Sequence, residues 1–204
     1  MEKFYNYWLP NNESHFSKFI KRNADAGLPA EYQEPVRTLA LSYVDKFDVS
    51  IDIGANFGLW SFILEKKFAK NFAIEPIADH CEFLKLNAPS TTIFQTALGT
   101  TIGTIQMQRN FENYGLTRID NGGNTVVNIN TLDNLNLPLA DFIKIDVEGY
   151  ELAVLQGGKH YICASYPVIV MELTDKRSPA GALLDSLGYQ VVNKIKHDYI
   201  YKKL

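Results

Sequence analysis

Between residues 49 and 173 the chain carries five short apolar runs: VSIDI (49–53), FAIEP (72–76), TIFQTAL (92–98), FIKIDV (142–147) and PVIVMEL (167–173). Each has the length of a strand and falls short of an ordinary helix. The intervals between them show helical spacing instead. Phe57, Trp60, Leu64 and Phe68 recur every three or four residues, and 77–87 has room for a shorter helix. Strands that alternate with helices bury both by forming a parallel sheet with crossover helices packed on its two faces, each crossover right-handed. The expectation is therefore an α/β fold of three layers.

Two regions depart from this rhythm. After the third run, TIGTIQMQ (101–108) and TVVNINTL (125–132) read as strands around a glycine- and asparagine-rich stretch, 110–124, which predicts a small β insertion before the fourth main strand. After the fifth run, 179–187 reads as a helix stopped by Gly188. YQVVNKI (189–195) and DYIYKKL (198–204) then alternate as an antiparallel hairpin turning at Lys196 and His197. Upstream, 15–22 and 32–44 are amphipathic, the second with Tyr32, Val36, Leu39 and Tyr43 on one side. Residues 1–47 are read as a helical cap on the sheet edge or cleft, and 48–204 as one compact domain. A chain of 204 residues holds one such domain, so ligands would share one cleft.

Composition excludes several classes. A net charge of −3 and a pI near 5.8 provide no broad basic surface for a nucleic acid or an anionic membrane. Cys81 and Cys163 stand in no metal-ligand or redox spacing. The start, MEKFYNYWLP, lacks the pattern of a secretory signal, and no apolar run approaches the ~20 residues of a membrane span. The expectation is a soluble cytoplasmic protein with a small-molecule partner.

The turn after the first strand, SIDIGANFGLW (50–60), carries the chemistry. Gly54, Asn56 and Gly58 stand at alternate positions between a strand and an amphipathic helix, where glycine permits a sharp turn and the close approach of a ligand. A dinucleotide fingerprint needs its third glycine one residue later, where this chain has Leu59. Taken alone, the turn fits a nucleotide-type cofactor or a plain βα connection. Glu75, about 20 residues on at the end of the second strand, strengthens the cofactor reading, because an acid there can accept hydrogen bonds from both hydroxyls of a ribose.

IDIGANFGLWS, IEP, TALG, TLDNL, FIKIDVEGYELAVLQGG and YPVIVMEL, in this order and at these separations, resemble the FkbM-type methyltransferases. The resemblance spans about 48–173 and is most specific over 144–158; residues 1–47 match no motif of the family. It implies a Rossmann-like class I methyltransferase fold: a seven-stranded, mostly parallel sheet with an antiparallel last strand. It also implies S-adenosylmethionine as methyl donor, S-adenosylhomocysteine as product, and a hydroxyl of a small molecule or carbohydrate as acceptor. Carried over by position, the pattern assigns Asp52, Gly54, Ala55, Asn56 and Gly58 to the methionine end of the cofactor, Glu75 to its ribose, and Thr96 and Ala97 to its adenine. Relatives often have an acid after the A-L pair; this chain has Gly99 and Thr100, with Gln95 as a substitute polar contact.

Methyl transfer requires an oxygen aligned with the methyl carbon and a group to take the hydroxyl proton. Asp146 and Glu148 bracket the end of the fourth strand and Glu172 ends the fifth, so three carboxylates are expected on one rim, raising one another's pKa. Asp146 suits the cofactor's amino group or the nucleophile, and Glu148 the substrate side. A hard divalent cation is the alternative use of such a cluster, although no metal is predicted. Glu151 reads as a helix cap, and His80, His160 and His197 are weaker candidates for a base. Asn113, Tyr114 and Arg118 in the insertion are candidates for substrate contact. DVEGY stands where a base-flipping N-methyltransferase would carry an Asn/Asp-Pro-Pro-Tyr/Phe run. A non-catalytic protein that retains the fold and a Rossmann oxidoreductase stay open as rivals.

Overall fold

The computed structural model describes residues 2–110 and 113–203. Phe111 and Glu112, in the glycine- and asparagine-rich stretch, and Met1 and Leu204 lie outside the described residues. The chain opens with a hairpin, β1 (Glu2–Phe4) and β2 (Tyr7–Leu9), followed by α1 (His15–Asp25) and α2 (Glu34–Leu41). Then come β3 (Val49–Ile53), α3 (Ser61–Lys67), β4 (Lys70–Ile74), α4 (Ala78–Asn87), β5 (Thr92–Phe94) and β6 (Ala97–Leu98). The insertion supplies β7 (Gly103–Gln108), β8 (Arg118–Ile119) and β9 (Thr125–Asn130). The remainder is β10 (Phe142–Ile145), α5 (Glu151–Gly157), α6 (Lys159–Ser165), β11 (Val168–Glu172), α7 (Pro179–Ser186), β12 (Tyr189–Ile195) and β13 (Asp198–Lys203).

Seven strands form the main sheet in the order β12-β13-β11-β10-β3-β4-β5. β5, β4, β3, β10 and β11 are parallel, and β13 runs antiparallel to both β11 and β12. From β3 the chain crosses first to β4 and β5 on one side, then returns to β10 and β11 on the other. The switch point lies between β3 and β10, where an open α/β sheet leaves a crevice at the carboxyl ends of its strands.

Period-two alternation sorts the apolar side chains between two layers. On β11, Ile169 and Met171 join Ile51, Ile53, Ile143 and Ile145 against Val154, Leu155, Ile162 and Leu184 of α5, α6 and α7. Val168 and Val170 point the other way, with Phe142 and Ile200, against Val36 and Ala40 of α2 and Leu64 of α3. Trp60 stacks on Phe142 there, with centroids 6.2 Å apart and planes 11° from parallel. Among the described residues, no helix is long and apolar enough to cross a membrane.

Local structure departs from the sequence reading in three places. The helix expected from Phe57 begins only at Ser61, because Gly54, Asn56 and Gly58 all adopt positive φ and the turn consumes those residues. The run 92–98 is two strands: β5 stays in the main sheet, while β6 pairs with β9 in a separate sheet ordered β6-β9-β7-β8. Thr96 makes the transfer, its hydroxyl donating to the carbonyls of Ala97 and Asn128. The first 47 residues contain the β1–β2 hairpin as well as two helices, pinned when Asn87 Nδ2 donates to the Trp8 carbonyl at 3.0 Å and the Trp8 N–H donates to Asn87 Oδ1 at 2.6 Å.

α5 docks on the small sheet through Gly157, where a Cβ would stand 1.8 Å from the Gly99 carbonyl oxygen. An alanine inside a helix ordinarily gains about 1 kcal/mol over glycine. Here overpacking reverses the sign, so Gly157→Ala is expected to lose ~1–3 kcal/mol in urea unfolding.

Candidate functional site

A cleft of about 340 Å³ opens at the carboxyl ends of β3, β4, β10 and β11. Its floor is the β3 turn. A Cβ on Gly54 (φ +76) would lie 1.9 Å from the Asp146 carbonyl oxygen, so only glycine lets the ends of β3 and β10 approach this closely. The N–H groups of Gly54 and Ala55 both donate to the Ile74 carbonyl, at 3.0 and 3.1 Å, which ties the turn to β4.

Glu75, just beyond β4, is 5% exposed and lines the cleft. Its Oε2 accepts the Asn56 N–H at 2.8 Å and its Oε1 accepts the Ile77 N–H at 2.9 Å, so one rotamer is fixed. His80 Nδ1 stands 3.2 Å from Oε1, yet neither ring nitrogen has a well-aligned hydrogen-bond partner among the described residues. Asn56 donates from Nδ2 to the Tyr114 carbonyl at 3.0 Å, and its buried Oδ1 has no partner among the described residues. This amide fastens the insertion to the glycine turn.

The opposite side of the cleft is acidic. Lys144 lies in register with Asp52 across β10 and β3, and Asp146 follows two residues later on the same face. Lys144 Nζ donates to the Gly54 carbonyl at 3.1 Å and stands 3.3 Å from Asp146 Oδ2 and 3.6 Å from Asp52 Oδ1. Burial opposes its charge, but Asp146 and Asp52 outweigh that and hold it above the ordinary lysine value. Burial pushes the Asp52 carboxyl upward, opposed by Lys144 and the Ser61 hydroxyl.

Three more carboxylates surround this core. Glu148 sits in the left-handed region at φ +53 and keeps an exposed edge. Enclosure by the cleft walls, then the charges of Asp146, Glu172 and Glu151, push its carboxyl up to about 7 against the pull of Lys144. Glu172 at the end of β11 lies in register with Asp198 at the start of β13. Partial enclosure at the cleft raises Glu172, aided by Asp146, and burial raises Asp198, aided by Glu172 and Asp146; Asp198 reaches about 7. Tyr32, Trp60 and His15 wall the cleft from the side of α1–α3, and Lys196 and His197 close it from the β12–β13 turn. The Tyr32 phenol is raised by burial and by the negative field of Asp146, Glu172, Asp198 and Glu148.

Of the residues expected from sequence, Gly54, Ala55, Asn56, Glu75, Thr96, Ala97, Asn113, Asp146, Glu148 and Glu172 all line this cleft. Five others do not. Asp52 lies beneath the cleft floor, fully buried beside Lys144, and accepts the Ser61 hydroxyl at 2.7 Å. Gly58 packs on α4, its missing Cβ 3.0 Å from Leu84 Cγ. Gln95 is exposed at the point where the chain changes sheets. Tyr114 is buried against Phe57, its hydroxyl donating to Asn12, and Arg118 is exposed on β8. Glu151 stands in the first turn of α5 and accepts the N–H of Gly149 in the preceding turn, and no side chain caps the helix among the described residues. Among the described residues, no group of three His, Cys, Asp or Glu side chains is placed to hold a metal ion.

The sequence reading passed over Lys144 and Asp198. The signal for Lys144 was a lysine inside a wholly apolar strand, two residues from an aspartate. Asp198 becomes visible only once the β11–β13 register is known.

Residues 52–195 match the profile of the Methyltransferase FkbM domain, and the chain belongs to that family. It is 31% identical over 134 residues to the hexuronic acid methyltransferase AglP of Haloferax volcanii, covering 61% of this chain and 56% of that protein. The chain thus spans little more than half the length of this curated relative. Among solved structures it resembles the methyltransferase FkbM of Methylobacillus flagellatus KT, with a TM-score of 0.55 and 18% identity over 78% of this chain and 44% of that one. It also resembles a TehB-like SAM-dependent methyltransferase of Corynebacterium glutamicum, with a TM-score of 0.52 and 10% identity over 93% and 98% of the two chains.

The acidic wall sets the pH response. Asp198 titrates near 7 when folded and near 3.8 when free, so the folded protein keeps a proton that the unfolded chain has released. Stability therefore falls as pH rises between those values. Asp198→Asn is expected to flatten this decline and to be more stable than the parent above neutrality, read from urea unfolding across the same pH range.

Proposed function

We propose that this chain of the FkbM methyltransferase family transfers a methyl group from S-adenosylmethionine to a hydroxyl of a sugar or similar small molecule. The observation that carries the reading is Glu75, held in one rotamer by the Asn56 and Ile77 N–H groups and facing the cleft beside the glycine turn. The residues present suit that ligand. Gly54 leaves room for a close backbone approach, the acid stands where ribose hydroxyls would donate, and Thr96 and Ala97 offer a small wall for a flat base. Asp146, on the floor between β3 and β10, suits the ligand's ammonium. When bound, S-adenosylmethionine supplies a methyl group on a sulfonium.

The rest of the chemistry falls to the chain. A base works best with a pKa close to the working pH, and Glu148 and Asp198 each titrate near 7. Either accepts a proton from the acceptor hydroxyl, with Glu148 the more accessible. Tyr32 and Trp60 exclude water from the same side. Support for a carbohydrate acceptor is the similarity to a protein named for hexuronic acid methylation.

Glu75→Gln is expected to weaken binding of S-adenosylhomocysteine by ~1.5–3 kcal/mol in calorimetry, through loss of charged hydrogen bonds. Unchanged affinity, or binding of NADH in place of S-adenosylhomocysteine, would refute the assignment. Glu148→Gln is expected to retain that affinity and lose methyl transfer at least ~100-fold, read as S-adenosylhomocysteine release.

A further inference from the structure

One wall of the cleft carries more negative charge than the fold itself uses. Glu172 and Asp198 face each other across an antiparallel pair, where opposed residues have Cα atoms ~4.5–5.5 Å apart. Like charges in that relation destabilise a sheet. Asp198 is 9% exposed, borders the cleft, and receives no hydrogen bond on its carboxylate among the described residues. It is thus a nearly buried acceptor aimed into the cavity without a donor.

The nearby cations offset this charge only in part: Lys196 pulls the Asp198 carboxyl down and His197 that of Glu172, yet both stay raised. Lys144 is committed to Asp52, Asp146 and the Gly54 carbonyl. Lys196 and His197 lie at the exposed turn. The methyl donor would add one net positive charge, against Asp146, Glu172 and the ionised fraction of Glu148 and Asp198 near neutral pH. Tyr32 presents aromatic surface to the same space, and an aromatic ring beside carboxylates favours an organic cation. Among the described residues, nothing groups these acids tightly enough for a metal ion.

We infer that the acceptor carries a protonated amine close to the hydroxyl that is methylated, received by Glu172, Asp198 and Glu148, and that amino sugars fit this cleft where uronic acids do not. The inference rests on the proposed methyltransferase function and deepens it. It also separates this chain from the relative named for hexuronic acid, because a carboxylate would add a further negative charge to a wall that already repels itself.

Three disaccharides of similar size test this: chitobiose, which bears free amines, neutral di-N-acetylchitobiose, and a disaccharide ending in glucuronic acid. Each is titrated calorimetrically into protein saturated with S-adenosylhomocysteine, and each is assayed for methyl transfer. Chitobiose is expected to bind about tenfold or more tightly than the neutral sugar, with the uronide weakest. Glu172→Gln, at an exposed position, and Asp198→Asn should each shrink the difference in affinity between chitobiose and the neutral sugar. Equal affinities, a preference for the uronide, or binding of none of the three by protein that does hold S-adenosylhomocysteine would overturn the inference. Failure to bind S-adenosylhomocysteine itself would instead refute the methyltransferase reading, and this inference with it.

Discussion

One buried ammonium group ties together the parts of this protein on which its site depends. Lys144 Nζ touches the Gly54 carbonyl at the glycine turn, Asp146 at the end of β10, and Asp52 within β3. Removing a charge of this kind from water costs several kcal/mol, and a favourable net balance requires good geometry and satisfied partners. Here the Gly54 carbonyl accepts a hydrogen bond and two carboxylates face the charge, Asp52 Oδ1 at 3.6 Å without a hydrogen bond of its own among the described residues. The interaction locks the two central strands at the switch point, where the crevice of an open α/β sheet forms.

That lock explains why the glycine turn has its shape. The ends of β3 and β10 come close enough for the Asp146 carbonyl to occupy the place of a Gly54 side chain. The backbone of the turn is thereby presented to the cleft, and Asn56 links it on one side to Glu75 and on the other to the insertion. The acids farther out are not neutralised in this way, and their raised pKa values follow from enclosure and mutual repulsion. The same floor therefore separates a rigid end from a charged end, which the proposed function gives to the cofactor and the acceptor respectively.

Much of this was legible in the sequence because period and spacing act locally. The run 49–53 is β3 residue for residue, and the hairpin 189–203 follows from alternation alone. The acids Glu75, Asp146, Glu148 and Glu172 were expected at strand ends, which are easy to locate, and all four line the cleft. What escaped depended on contacts between distant segments. Asp52 belongs to the glycine motif by position, but it is buried beneath the cleft floor against Lys144 and Ser61. Asp198 looked like the polar start of a hairpin strand until its register with Glu172 placed it in the wall. Gln95 seemed available for an adenine contact, yet the chain leaves the main sheet at that point. The β1–β2 hairpin was missed because two three-residue strands carry too little alternation to register as a pattern.

The central claim is that the crevice between β4, β3 and β10 receives S-adenosylmethionine, leaving the acidic wall for the acceptor. A crystal structure of the chain with S-adenosylhomocysteine tests it most directly. The account predicts ribose hydroxyls on Glu75, the homocysteine end over Gly54 to Asn56 and Asp146, and open space between the sulfur and Asp198. A ligand whose ribose lies away from Glu75, or whose adenine fills the space before Glu172 and Asp198, would contradict it.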